Sequence, residues 1–217
     1  MDAIKGWGLS PDGCVQAALQ LAFHRVQGYT PSTYESSSTA HFAAGRTETI
    51  RSASDESAAF VAAAIAGAPR SEQLTKLRAS AQRHSELARE ASAGHGVDRH
   101  LYALRRLHAS RGGSASCDTA GNVAGEGGYS AASAFFDDPT LTTLTSNELS
   151  TSTLTSNFAR QASFGPVHPD GFGVSYHLPK RELRFCVTTY KPRSAAAFKD
   201  ALDMALTSIA ELCESRG

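Results

Sequence analysis

Residues 34–51 read Tyr34-Glu35-Ser36-Ser37-Ser38-Thr39-Ala40-His41-Phe42-Ala43-Ala44-Gly45-Arg46-Thr47-Glu48-Thr49-Ile50-Arg51. The run opens extended and rich in hydroxyls and passes a glycine at Gly45. It then presents Arg46, Thr47, Glu48 and Arg51 in one short loop. Tyr34, Ser36, Ser38, Arg46 and Thr47 are thus gathered around a single bend. Hydroxyls and guanidinium groups together suit a carboxylate or a phosphate, because arginine offers a forked pair of donors to a planar anion. On composition alone a solvated surface loop is the simpler account of the same residues, so what surrounds the stretch decides between the two.

Upstream, Ser10-Pro11-Asp12 is a helix start, with a capping hydroxyl, a proline at the first helical position and an acid in the first turn. Val15, Ala18, Leu19, Ala22 and Val26 follow at helical spacing, and Gly28 ends the run. Tyr29 to Ser38 reads as a loop leading into a strand. Downstream, Ser54 to Ala66 predicts an alanine-rich, buried helix. Ser71 to Ala93 predicts a longer one, with Leu74, Leu77, Ala81 and Leu87 on one side and Arg83, Glu86, Arg89 and Glu90 on its solvated face. Asp98 to Ser110 is a further helix with Leu101, Leu104 and Leu107 as its apolar line.

Residues 111–147 have a different composition, dominated by Gly, Ser, Ala and Thr, with Phe135 and Phe136 as the bulky anchors. Such a segment buries too little surface to offset its ordering entropy, which predicts a mobile, low-complexity insert. Its glycines Gly125, Gly127 and Gly128 do not follow a strand-turn-helix pattern, so a phosphate loop is not indicated. Order returns with a short strand at Ser150 to Leu154. Gly173 to Leu178 and Glu182 to Tyr190 predict two strands around a Pro179-Lys180 turn. Ser194 to Glu214 is an amphipathic helix with Phe198, Leu202, Ala205, Ile209 and Leu212 facing the core. Strands and helices are interspersed, so the class is α/β with a mixed sheet.

The bulk numbers exclude several functions. The 217 residues make one large domain, or one domain of something larger. Lys plus Arg equals Asp plus Glu at 21 each, so no long-range field favours nucleic acid. Cys14, Cys117, Cys186 and Cys213 are scattered with no paired spacing, which argues against a zinc site and a disulfide framework. No histidine spacing indicates a metal. The longest apolar run, 58–68, is shorter than the roughly 20 residues that cross a bilayer. The first ten residues lack the apolar core of a signal peptide.

Three segments beyond residue 51 sharpen the reading: Asp98-Arg99-His100, Leu149-Ser150-Thr151-Ser152, and Phe164-Gly165-Pro166-Val167-His168-Pro169-Asp170-Gly171-Phe172-Gly173. Together with residues 34–51, and in this order, they resemble the carnitine/choline acyltransferase family, most of all its carnitine O-palmitoyltransferase branch. The resemblance runs from Lys5 onward apart from the insert. It implies one half of a two-domain, CoA-dependent acyltransferase fold, chloramphenicol acetyltransferase-like, with the active site in a tunnel between the halves.

The same resemblance implies transfer of an acyl group between CoA and the hydroxyl of carnitine, in fatty acid metabolism. CoA and acyl-CoA enter as co-substrates, with no permanently bound cofactor. The family's general-base histidine lies in the other half, and none of the eight histidines here matches it. Tyr34, Ser36 and Thr47 are implied to bind the carnitine carboxylate, assisted by Arg99; the simpler alternative for Arg99 is a salt bridge with Asp98. The choline-using branch lacks this threonine and arginine, so Thr47 and Arg99 favour carnitine. Ser152 is the implied oxyanion stabiliser, Ser150 lies near the ammonium, and Phe164 offers a ring face to it. Taken alone, Ser150-Thr151-Ser152 suits a hydroxyl-rich edge strand, and Phe164 a core aromatic.

Ala162 takes the place where short-chain members carry a bulky residue, which implies medium- or long-chain acyl groups. Lys5 and Asp12 match the CoA-binding segment, and Met1 stands where the family has a second lysine. The expectation is therefore a C-terminal half, residues 1–217, with a low-complexity insert at 111–147. It would act with an N-terminal half that carries the base and any membrane-surface contact, in the mitochondrion as is usual for the family. The alternatives are a non-catalytic carnitine-binding module and a truncated, inactive remnant.

Overall fold

Strand alternation organises the molecule. The structure is a computed structural model that describes residues 1–110, 133–153 and 160–214. Five strands form one mixed sheet: β1 (Thr33–Ser38), β2 (Thr47–Ile50), β3 (Leu149–Thr153), β4 (Phe172–His177) and β5 (Arg184–Thr189), in the order β2-β1-β3-β4-β5. β1 pairs with β3 and β3 with β4 in parallel; the outer pairs, β1 with β2 and β4 with β5, are antiparallel. The register sets Tyr34 opposite Ser150, and Thr151 opposite both Glu35 and Val174. Because successive side chains leave opposite faces of a strand, Glu35, Thr151, Val174 and Tyr176 share one face. Tyr34, Ser36, Ser150, Ser152 and Ser175 share the other.

Helices cover the first face. α1 (Asp2–Gly6) precedes α2 (Pro11–Gln27), whose Ser10 cap accepts from the Gly13 N–H and whose run ends at Gly28 in the left-handed region, φ 84°. Residues 13–23 of α2 are all buried, so α2 is the central helix rather than a surface one. α3 (Asp55–Ile65) starts in a reciprocal Ser54–Ser57 capping box, and α4 (Arg70–Ser92) follows directly. α5 (Asp98–Ser110) and α6 (Pro139–Thr145) complete the crossover to β3, and α7 (Ala195–Glu214) closes the chain. α2 packs on α7, α4 and α3. The core joins Val15, Leu19 and Phe23 to Phe60 and Leu77 and to Leu149, Phe172, Val174 and Tyr176 of the sheet. Phe172 stands edge-on to Phe23 at 6.0 Å and tilted against Phe198 at 4.5 Å.

Most expected elements are present within one or two residues of their sequence limits, with three corrections. Residues 47–50 are a strand, not part of a loop: Thr47 to Ile50 pair antiparallel with Ser38 to Glu35. The turn between them closes on Gly45, where a Cβ would stand 1.9 Å from the Thr39 carbonyl oxygen. The region 111–147 is not structureless throughout, since Asp138 caps α6 through the Thr140 N–H, Pro139 opens it and Leu141 is buried. Its first part, 111–132, lies outside the described residues. Finally, the Leu101, Leu104 and Leu107 line of α5 is not buried in a core; Leu104 is 39% and Leu107 55% exposed. No helix among the described residues is long and apolar enough to cross a membrane.

Candidate substrate-binding site

The open sheet face carries the hydroxyls singled out in the sequence. Parallel pairing of β1 and β3 lays Tyr34 beside Ser150 and brings the Ser36 and Ser152 hydroxyls to 3.1 Å. On the covered face the Thr151 hydroxyl donates to the Tyr34 carbonyl at 3.0 Å and accepts from Gln16 Nε2 at 3.0 Å, which fixes β1 against β3.

Arg99 reaches this face from the first turn of α5. Its Nε donates to the Thr47 carbonyl at 3.0 Å, and its Nη2 donates to the Thr47 hydroxyl at 3.1 Å and the Tyr34 hydroxyl at 3.2 Å. Among the described residues it makes no ion pair. Asp98 pairs instead with Arg51, the residue that follows β2. The expected alternative, an Asp98–Arg99 bridge, is therefore not what this chain does. Arg99 is exposed, its charge turned toward solvent beside two hydroxyls.

Phe164 lies across the same face because Gly173 leaves room. A Cβ on Gly173 would meet the Thr188 hydroxyl at 2.7 Å and the Phe164 carbonyl at 3.0 Å. The Thr188 hydroxyl donates to that carbonyl at 2.5 Å. Tyr34, Ser36, Arg99, Ser150, Ser152 and Phe164 together line a cavity of about 430 Å³, with Asn147, Thr151 and Val167 completing it. Its lining brings together the Arg99 cation, several hydroxyls and the Phe164 ring. It suits a small ligand with a carboxylate at one end and an apolar cation at the other. Among the described residues no histidine lines it.

Three expected residues stand elsewhere. Lys5 is exposed on α1. Asp12 turns into the covered face, where its Oδ1 lies 2.6 Å from the Tyr176 hydroxyl. Ala162 is exposed on the segment leading to Phe164, and its carbonyl accepts from the Ser175 hydroxyl on the open face.

Behind β1 lies a cluster that the sequence did not disclose. Glu35 Oε2 is 2.7 Å from His84 Nε2 and accepts from the Ser52 hydroxyl at 2.7 Å, and its Oε1 is 2.8 Å from the Tyr176 hydroxyl. That hydroxyl has one hydrogen but two carboxyl neighbours, Glu35 and Asp12. Both contacts are hydrogen bonds only when one acid is protonated. Burial, and then the charge of Glu35, raise the Asp12 pKa, which makes Asp12 the better of the two acids to hold that proton. Burial also opposes charge on Glu35, but the hydrogen bond and charge of His84, with Ser52 and Tyr176, outweigh it and lower its pKa. Burial lowers His84, and the Glu35 contact more than reverses this. Asp12, Glu35 and His84 offer ligand-type atoms within 4.8 Å of one another, but hydrogen bonds inside the cluster already engage them. One signal for His84 was available: it stands three and seven residues beyond Ala81 and Leu77, on the same buried stripe of α4.

The sequence profile of the Choline/Carnitine o-acyltransferase family matches residues 1–204. The chain belongs to the choline/carnitine O-acyltransferase family. Among curated proteins of this family it is similar to carnitine O-palmitoyltransferase 2, mitochondrial, of Bos taurus, 38% identical over 217 residues and 98% of the chain. The Xenopus tropicalis protein of the same name is 37% identical over 212 residues and 96% of the chain. Choline O-acetyltransferase of Rattus norvegicus is also similar, 35% identical over 221 residues and 98% of the chain. The chain spans 30% of the length of the two palmitoyltransferases and 32% of the choline enzyme.

Proposed function

We propose that this chain is the substrate-holding half of a carnitine O-acyltransferase, and that its open sheet face grips carnitine while acyl groups pass to and from CoA. The carrying observation is Arg99, whose guanidinium stands free of any described carboxylate beside the Thr47 and Tyr34 hydroxyls. The relatives named for carnitine and for choline match this chain at 38% and 35% identity, so overall similarity does not choose between them. The free guanidinium of Arg99 favours carnitine. Choline has no carboxylate to meet a guanidinium, and carnitine has one.

Carnitine laid along the cavity sets its carboxylate on Arg99, Thr47, Tyr34 and Ser36 and its ammonium near Ser150 and Phe164. Ser152 then faces the reacting carbonyl and stabilises the oxyanion. The base that deprotonates the carnitine hydroxyl or the CoA thiol comes from an N-terminal half, and the two halves together make one chloramphenicol acetyltransferase-like enzyme. Ala162, small and exposed near the open face, leaves space for medium or long acyl chains. Lys5, a point charge on α1, meets the CoA phosphate. Asp12 serves CoA from the start of α2. Residues 1–217 form the C-terminal part of this acyltransferase domain. The palmitoyltransferase relatives are named as mitochondrial, and we assign the same compartment here.

The test is calorimetric titration of the chain with L-carnitine and with choline. Tighter binding of carnitine supports the proposal; equal or tighter binding of choline rejects it.

A further inference from the structure

We infer that Arg51 is a positioning residue for Arg99. By taking up the carboxylate of Asp98, it keeps the neighbouring guanidinium free for a substrate carboxylate. The inference rests on the carnitine-carboxylate reading above and adds a residue to it.

Two arginines and one aspartate meet where β2 ends and α5 begins. Arg51 engages every nitrogen of its guanidinium. Nε and Nη2 fork onto the two Asp98 oxygens, while Nη1 donates to the Leu144 carbonyl at 2.7 Å and to Asn147 Oδ1 at 2.9 Å. The pair is shielded, with side-chain exposures of 19% and 15%. Arg99, one residue from Asp98, is exposed, and among the described residues it touches only neutral groups, the Thr47 carbonyl and hydroxyl and the Tyr34 hydroxyl and ring. Asp98 also stands in the first turn of α5, where the helix end favours a negative charge and holds it in place. The local sum is one positive charge, and the geometry assigns it to the arginine that lines the cavity. Without Arg51, Asp98 would be a part-buried, uncompensated carboxylate beside Arg99, repelling an incoming carboxylate and competing for the same guanidinium. Asn147 lines the same cavity, so Arg51 also braces the loop that leads into Ser150.

A brace and a charge partner make different predictions for the double variant. The experiment is titration calorimetry of the chain with L-carnitine and choline, for Arg51→Met, Asp98→Asn and the two together, with a thermal melt of each. Arg51→Met is expected to weaken carnitine roughly tenfold or more, and Asp98→Asn to stay within about threefold of the unaltered chain. The double variant should recover most of the loss, because the competing carboxylate is gone. Choline affinity should not change in any of them. If Arg51→Met melts below the assay temperature, Arg51→Lys replaces it, and retained affinity within a few-fold is expected because the charge on Asp98 stays neutralised. The inference is overturned if the double variant binds carnitine as weakly as Arg51→Met, if Arg51→Met binds it as tightly as the unaltered chain, or if Arg51→Lys loses tenfold. Failure of the underlying reading shows differently, as an unaltered chain that prefers choline or binds neither ligand.

Discussion

The Ser36 and Ser152 hydroxyls lie 3.1 Å apart although 116 positions separate them in the chain. Each hydroxyl has one hydrogen to give. When Ser36 donates to Ser152, the Ser152 hydrogen is free to point into the cavity, where the proposed reaction would place an oxyanion. In the complete enzyme, Ser152→Ala is expected to lower kcat about a hundredfold or more while leaving the KM for carnitine nearly unchanged. Ser36→Ala should lower kcat less, since it removes only the orienting partner. Steady-state kinetics at varied carnitine checks both.

On the proposed reading Arg99 supplies binding rather than chemistry, so its loss should fall on affinity. Arg99→Ala is expected to raise the carnitine KM or Kd by roughly 10- to 100-fold, the range for hydrogen bonds to a charged group. Arg99→Lys should restore little, because a single ammonium cannot hold Thr47, Tyr34 and a carboxylate in one fork. Comparison of carnitine titrations of the three proteins checks this.

The Glu35–His84 pair predicts a pH-dependent stability. Glu35 is lowered from 4.5 in the fold, so its share is present above the unfolded value and is lost as pH falls through the folded one. His84 is raised from 6.5, so its share is complete below that value and is lost as pH rises through the raised one. Asp12, raised from 3.8, likewise loses stability as pH rises through its folded value. Thermal melts should therefore show a maximum on the mildly acidic side and a decline above neutrality. Glu35→Gln should flatten the alkaline decline, because His84 then has no anion to hold its proton. Glu35→Ala should cost about 3 kcal/mol or more by leaving a buried imidazole unpaired.

Gly45 has no room for a side chain. Gly45→Ala would force the β1–β2 turn apart, since the added Cβ would stand 1.9 Å from the Thr39 carbonyl oxygen. Thr47, two residues on, would shift with it. A loss of about 2 kcal/mol or more in stability and a weaker grip on carnitine are expected, by thermal melt and titration.

Ala162 carries the prediction on acyl-chain length. Ala162→Met in the complete enzyme should depress turnover of palmitoyl-CoA and spare acetyl-CoA. A preference for acetyl-CoA already present in the unaltered enzyme would refute the long-chain assignment.

Local chemistry made the elements legible. Ser10, Pro11 and Gly28 mark both ends of α2 in the sequence, and the spacing of Phe198, Leu202, Ala205 and Ile209 marks α7. The residues that share the open face were singled out in the sequence too, and the sheet register explains why they meet: Tyr34 and Ser36 on one strand fall beside Ser150 and Ser152 on its parallel neighbour. Less visible was anything set by long-range pairing. β2 is four residues without apolar alternation, so only its partner β1 declares it a strand. The Arg51–Asp98 pair joins residues 47 apart that no periodicity links. The cluster of Asp12, Glu35, His84 and Tyr176 draws one residue from each of four elements, and polar residues on an apolar face read as solvated until their partners are placed. α6 was hidden because a short capped helix looks like its Thr-rich surroundings.

The most direct test of the carnitine cradle is a crystal structure of the chain with L-carnitine bound. The ligand carboxylate should lie within hydrogen-bond distance of the Arg99 guanidinium and the Thr47 and Tyr34 hydroxyls, with the trimethylammonium against Phe164. A carboxylate bound elsewhere, or the ammonium end seated beside Arg99, would contradict the account.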